Sequence, residues 1–155
     1  MKKNNSSFFV RGSMKKIIII LILLLLVGCS KKSLTTKEFK KLIRDNGYYV
    51  VSVKKQFSEY DYIEEALLAR KDSINIEYYL MSDVENTNAF YDYNRDVIEA
   101  YKTKYDTDKE SKNKYLLETD EKYMVISCIS NTCIYVDTDI ENKKSVNDIL
   151  KKLGY

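Results

Sequence analysis

The sequence predicts an α+β domain: one small antiparallel β-sheet backed by helices. Three observations carry that prediction. Ile74, Ile76, Tyr78 and Leu80 alternate with Asn75, Glu77 and Tyr79, the period of two expected of a half-buried strand. Residues 115–118, 123–130 and 132–137 are three short strand-like stretches separated by only a few residues, which suits antiparallel pairing; parallel strands need long crossovers. Thr35 with Glu38, and Ser82 with Glu85, have the spacing of capping boxes and mark two helix starts.

Taken in order, the first helix opens at Thr35, with Leu34 and Phe39 placed as a hydrophobic staple and Phe39, Leu42 and Ile43 as its apolar stripe. Asn46-Gly47 ends it through a left-handed cap, and residues 48–54 read as a strand rich in aromatic and β-branched side chains. Ser58 and Asp61 start a second, weaker helix to about Arg70, with Ile63 and Leu67 inward. The alternating strand follows, then a long helix from Ser82 with Phe90, Tyr93, Val97 and Tyr101 on one stripe. Residues 106–112 are charged and read as an exposed loop before the three late strands. A last helix carries Ile149, Leu150 and Leu153 and stops at Gly154-Tyr155. The helices are expected to cover one face of the sheet. Two helices therefore end in Gly-Tyr, which ordinary helix-ending chemistry explains more simply than an internal duplication does.

Ahead of this domain, Met14-Lys15-Lys16 precedes an unbroken apolar run over residues 17–27, which leads into Leu26-Val27-Gly28-Cys29. The eleven-residue run would rise only about half of a hydrocarbon core of about 30 Å, too short for a spanning helix and the right length for a signal peptide. The segment 14–30 resembles the lipobox signal of bacterial lipoproteins. That resemblance implies cleavage before Cys29, a diacylglycerol on its thiol, and an extracytoplasmic domain lipid-anchored to the cell membrane. Residues 1–13 fit a signal poorly, and Met14 is the expected start. The expected organisation is a signal peptide at 1–28, lipidated Cys29 and a short linker to 34, and a domain at 35–155. In size, layout and abundance of Lys, Asn, Ile and Tyr, the chain resembles small surface lipoproteins of low-GC Gram-positive bacteria.

Composition excludes several chemistries. Five of the 26 basic residues and none of the 23 acidic ones precede Cys29, so the remainder has a net charge of −2 and no basic footprint for nucleic acid. The chain has no His, the commonest general base and metal ligand, and only Gly47 and Gly154 follow Cys29, so no glycine-rich loop can cradle a phosphate. No cofactor is expected. Carboxylates at Glu59, Asp61, Glu64 and Glu65, and at Asp137, Asp139 and Glu141, lack the spacing of an EF-hand loop, and no metal site is expected.

Two features remain. If Ser130-Asn131 is a two-residue hairpin loop, Cys128 opposes Cys133 in a non-hydrogen-bonded pair, close enough for a disulfide that an exported domain would keep. The alternative is a pair of buried thiols. Fourteen tyrosines against five phenylalanines point to a face that is apolar yet forms hydrogen bonds, with Tyr48, Tyr79 and Tyr91 as its candidates; Tyr60, Tyr62, Tyr91 and Tyr93 crowd the nearby expected helices. The functional expectation is a non-catalytic binding or interaction domain for a protein, peptide or glycan. An accessory subunit of a membrane complex is the alternative, and a hydrolase of wall polymers ranks below both.

Overall fold

Residues 32–155 are described in the computed structural model, within one unit spanning Lys31–Tyr155; the expected signal peptide at 1–28 and the expected lipidation site Cys29 lie outside the described residues. Thr35 caps α1 (Thr36–Asp45) through the reciprocal bonds of a capping box: the Glu38 amide donates to Thr35 Oγ1 at 3.2 Å, and the Thr35 amide donates to Glu38 Oε2 at 2.9 Å. Phe39 and Ile43 are fully buried, each contributing about 1.5–3 kcal/mol of apolar burial. Gly47, at φ 84°, closes the helix; its amide reaches the Arg44 carbonyl and that of Tyr48 reaches Ile43, the two bonds of a Schellman motif.

The chain continues through β1 (Tyr49–Ser52), a 3-10 turn (Lys54–Phe57), β2 (Ile63–Lys71) and β3 (Ile74–Met81) to α2 (Val84–Glu99). After α2 come β4 (Thr107–Ser111), β5 (Lys114–Glu118), β6 (Lys122–Ile129), β7 (Thr132–Asp139), a short 3-10 turn and α3 (Lys143–Leu153). The seven strands form one sheet in the order β1-β2-β3-β7-β6-β5-β4, every neighbouring pair antiparallel, so the α+β class is established. Helix α2 carries the chain from the middle of the sheet to its far edge, and the late strands return in sequence until β7 meets β3.

Helices cover both faces, not one. Ile76 and Tyr78 of β3, Val125 of β6 and Ile134 of β7 pack in one core with α1 and α3; Tyr79 and Met81, Ile126 and Cys133 pack in a second with Tyr91 and Ile98 of α2. Strand alternation puts these two sets on opposite sides of the same sheet. The apparent polar side of β3 is therefore also core, and both Tyr78 and Tyr79 are buried.

Four further expectations change. The segment expected as a helix to Arg70 is mostly strand β2, because its backbone is held between β1 and β3, and that pairing outweighs the helix preference of Glu64-Glu65-Ala66-Leu67-Leu68-Ala69-Arg70. One extra residue sits at the start of β2, where Ile63 opposes Met81 but Glu65 opposes Leu80. This bulge reverses the side-chain parity, bringing Ile63 and Ala66 to the α2 side while Leu67 and Ala69 face α1 and α3. The charged stretch 106–112 contains edge strand β4, formed by backbone pairing with β5; its exposed charges suit an edge that must resist pairing with another chain. The cap of α2 is Asp83, not Ser82: its carboxylate accepts from the Asn86 amide at 2.8 Å. The buried stripe of α2 is Thr87, Tyr91 and Ile98, with Tyr93 and Tyr101 exposed.

Candidate functional site

The Cys128–Cys133 pair meets its expected geometry. Ile129 opposes Thr132 across a two-residue loop whose first residue, Ser130, takes φ 52°. Cys128 opposes Cys133 at a Cα separation of 4.1 Å, and the two sulfurs are bonded. The Cys128 amide donates to the Asn113 carbonyl at 2.8 Å, toward β5 and away from β7, as a non-hydrogen-bonded pair requires. The bond is almost wholly buried, with Cys128 5% exposed and Cys133 0%. Beside it lies a hollow of about 450 Å³ between the Lys112-Asn113 and Ser130 turns, with Tyr155 on its wall. Its lining joins Ser111–Lys114 and Ser127–Ser130 with the Tyr155 ring, and that ring is its one aromatic group.

The tyrosines redistribute. Tyr48, Tyr79 and Tyr91, the expected surface, are only 6%, 4% and 8% exposed and belong to the two cores, so they form no binding face. Tyr48 is the hydrophobic residue after a Schellman glycine, Tyr79 lies under α2, and Tyr91 is on the sheet-facing stripe of α2. Burial raises the hydroxyl pKa of all three, and Tyr79 has the further cause of the Glu77 carboxylate, to which its hydroxyl donates. The exposed rings are Tyr49, Tyr60, Tyr93, Tyr101 and Tyr105.

One of these exposed rings, Tyr93, meets partly buried neighbours at a second hollow. Tyr62, Asn86, Ala89, Phe90 and Tyr93 enclose about 250 Å³. Positions 86, 89, 90 and 93 follow the i, i+3, i+4, i+7 spacing of one helix stripe, beside the stripe that α2 buries. Tyr62 stands just before β2, where its carbonyl accepts from the Ser82 amide at 2.9 Å and ties this strand start to the α2 cap. Tyr60 meets Tyr62 edge-to-face at 5.7 Å. Phe90 packs on Tyr79 at 4.7 Å, and Tyr79 packs edge-on against Phe57 at 5.4 Å. The hollow is thus the outer end of an aromatic column rooted in the core, which fixes its wall before any ligand arrives.

Its polar groups are free to act. The Asn86 amide nitrogen donates to Ser82 Oγ at 3.1 Å and Asp83 Oδ2 at 2.7 Å, which orients the side chain and leaves its carbonyl oxygen as an acceptor. The hydroxyls of Tyr62 and Tyr93 have no hydrogen-bond partner among the described residues. Burial, with Tyr60 and Asp61 nearby, raises the Tyr62 hydroxyl pKa, so it remains a neutral donor and acceptor. The Asn86 amide holds the Asp83 carboxyl below the usual carboxylate range, so the cap stays charged. This arrangement can stack an apolar ring or sugar face and hydrogen-bond its rim. Among the described residues no group of His, Cys, Asp or Glu side chains is placed to hold a metal ion.

The sequence pointed to tyrosines as a type; of those it singled out, Tyr48, Tyr79 and Tyr91 are buried, whereas Tyr62 and Tyr93 line this hollow. The signal that separates them is the 86-89-90-93 spacing. Comparison with protein-family models, curated proteins and solved structures finds no match for this chain. No described helix is long and apolar enough to cross a membrane, and the domain carries one disulfide.

Proposed function

We propose that this chain is an extracytoplasmic lipoprotein, tethered to the membrane through Cys29, whose domain binds a partner non-catalytically at the Tyr62–Phe90–Tyr93 hollow. The observation that carries the binding role is the hollow itself: aromatic walls braced by the core, unpartnered hydroxyls at the rim, and room for about one sugar ring or one peptide side chain. The anchor is supported by the Leu26-Val27-Gly28-Cys29 motif after a short apolar run, and a disulfide accords with an oxidising compartment.

Two measurements test this reading. Intact mass of the membrane-extracted protein should give a diacylglycerol-bearing chain that starts at residue 29 and is lost in Cys29→Ala. Binding of the full chain to immobilised envelope glycans and peptides should weaken at least tenfold in Tyr62→Ala and Tyr93→Ala, about 1.4 kcal/mol or more, with the circular dichroism spectrum unchanged. Binding that survives both substitutions would place the partner elsewhere on the domain.

A further inference from the structure

The hollow lies on the α2 side of the sheet, while the chain leaves toward Cys29 from the α1 side. Leu34 packs against the α1–α3 core, and its carbonyl accepts from the Tyr78 hydroxyl at 2.8 Å. The tether is therefore fixed to the domain one residue before the α1 cap. Five residue steps separate Leu34 from Cys29, at most about 18 Å of extended chain. With Cys29 in the headgroup layer, α1 is held close to the membrane surface.

Helix α1 presents a basic stripe. Lys37, Lys40, Lys41 and Arg44 follow the i, i+3, i+4, i+7 spacing along about 10 Å of helix, opposite the buried Phe39 and Ile43. They line a shallow groove with Thr36 and Asp45. Lys40 pairs with Glu65 at 3.3 Å and Lys41 with Asp45 at 2.7 Å. Lys37 and Arg44 are exposed and have no carboxylate partner among the described residues. Two more cations gather at the C-terminal end of the helix: Lys71 donates to the Asn46 carbonyl at 3.1 Å and Lys152 to Asn46 Oδ1 at 2.6 Å. This concentration of positive charge stands out because the chain from Cys29 onward is net acidic.

We propose that the Lys37–Arg44 face of α1 rests on anionic phospholipid headgroups, which directs the α2 hollow away from the membrane toward the surroundings of the cell. The proposal rests on the lipoprotein reading, since the short tether brings the stripe to the surface. Each basic residue near an anionic bilayer contributes up to about 1 kcal/mol, and salt weakens that attraction. A single acyl-anchored domain could otherwise tumble on its tether; several cations on one side select one orientation.

The test uses the full lipidated protein, first checked by intact mass, in vesicles of pure phosphatidylcholine and in vesicles containing phosphatidylglycerol. Amine-reactive labelling is read by mass spectrometry at Lys37 and Lys41, with exposed Lys55 and Lys109 as internal references. The expected result is several-fold slower labelling of Lys37 and Lys41 in the phosphatidylglycerol vesicles only, reversed by high salt and lost at Lys41 in the Lys37→Glu/Arg44→Glu variant. Equal labelling of a lipidated chain in both vesicles, or protection of Lys109 instead, overturns the docked orientation and leaves the anchor intact. A chain without lipid at Cys29 overturns the anchor reading and this proposal with it.

Discussion

At the scale of single residues, burial separates tyrosines that chemistry alone treats alike. Tyr79 lies between Phe57 and Phe90 at 4% exposure, so Tyr79→Ala should cost about 3–5 kcal/mol of stability in urea unfolding. Tyr93 is 69% exposed, and Tyr93→Ala should change stability by less than about 0.5 kcal/mol while weakening binding. Equal losses in the two variants would mean that Tyr93 is part of the core. The disulfide calls for the opposite intuition. Cys128 and Cys133 are five residues apart, and their loop is already closed by the Ser130-Asn131 turn and the ladder beside it. The paired change Cys128→Ser/Cys133→Ser should therefore cost about 2 kcal/mol from loop entropy at most, less whatever the turn has already ordered. A loss well beyond that would show that the buried hydroxyls, not the missing bond, dominate.

At the scale of elements, the two Gly-Tyr helix ends prove to be one device used twice. In α3 the Gly154 amide reaches the Lys151 carbonyl and the Tyr155 amide reaches Leu150, the same pair of bonds that closes α1. Each glycine adopts φ near 85°, and each following tyrosine returns into the α1–α3 core. A Cβ on Gly154 would meet nothing within 4 Å, so Gly154→Ala isolates the backbone cost, expected at about 1–2 kcal/mol in thermal or urea unfolding. The same device accounts for both ends without a duplication. Element β2 illustrates the reverse case, in which local preference loses. Its Glu-Glu-Ala-Leu-Leu-Ala-Arg stretch favours a helix, yet nine residues are drawn into an interior strand because β1 and β3 satisfy its backbone on both sides.

At the scale of the whole molecule, the three layers hide phenol groups in the interior. Burial pushes Tyr78, Tyr115 and Tyr135 up to about 12, and pushes Tyr79 and Tyr155 higher still. The unfolded chain ionises its tyrosines near pH 10 while the folded chain keeps these protons, so the folded state binds more protons between those limits. Stability is thus fully present below about pH 10 and falls as pH rises toward about 12. Following tyrosinate absorbance and circular dichroism together should show the buried tyrosines ionising in step with unfolding. Their ionisation near pH 10 with the spectrum intact would mean that they are accessible in the folded protein.

Local signals determined a great deal here. The capping box at Thr35 and both glycine helix ends depend on residues within about six positions of one another and were legible in the sequence. The β6–β7 register and the opposition of Cys128 to Cys133 were legible only on the condition that the turn falls at Ser130-Asn131, as it does. The Leu26-Val27-Gly28-Cys29 motif behind the proposed signal segment is local as well, and it is the sequence's own contribution to where the protein is proposed to reside. Which faces meet is set by contacts that no short window contains. Strand β2 in place of a helix, helices on both sides of the sheet, and the burial of Tyr48, Tyr79 and Tyr91 all follow from pairing and packing between segments distant in the chain. The Tyr62–Tyr93 hollow belongs to the same class, since it needs α2 laid across the start of β2. A short window records the preferences of its own residues; burial is set by whatever the rest of the chain brings against them.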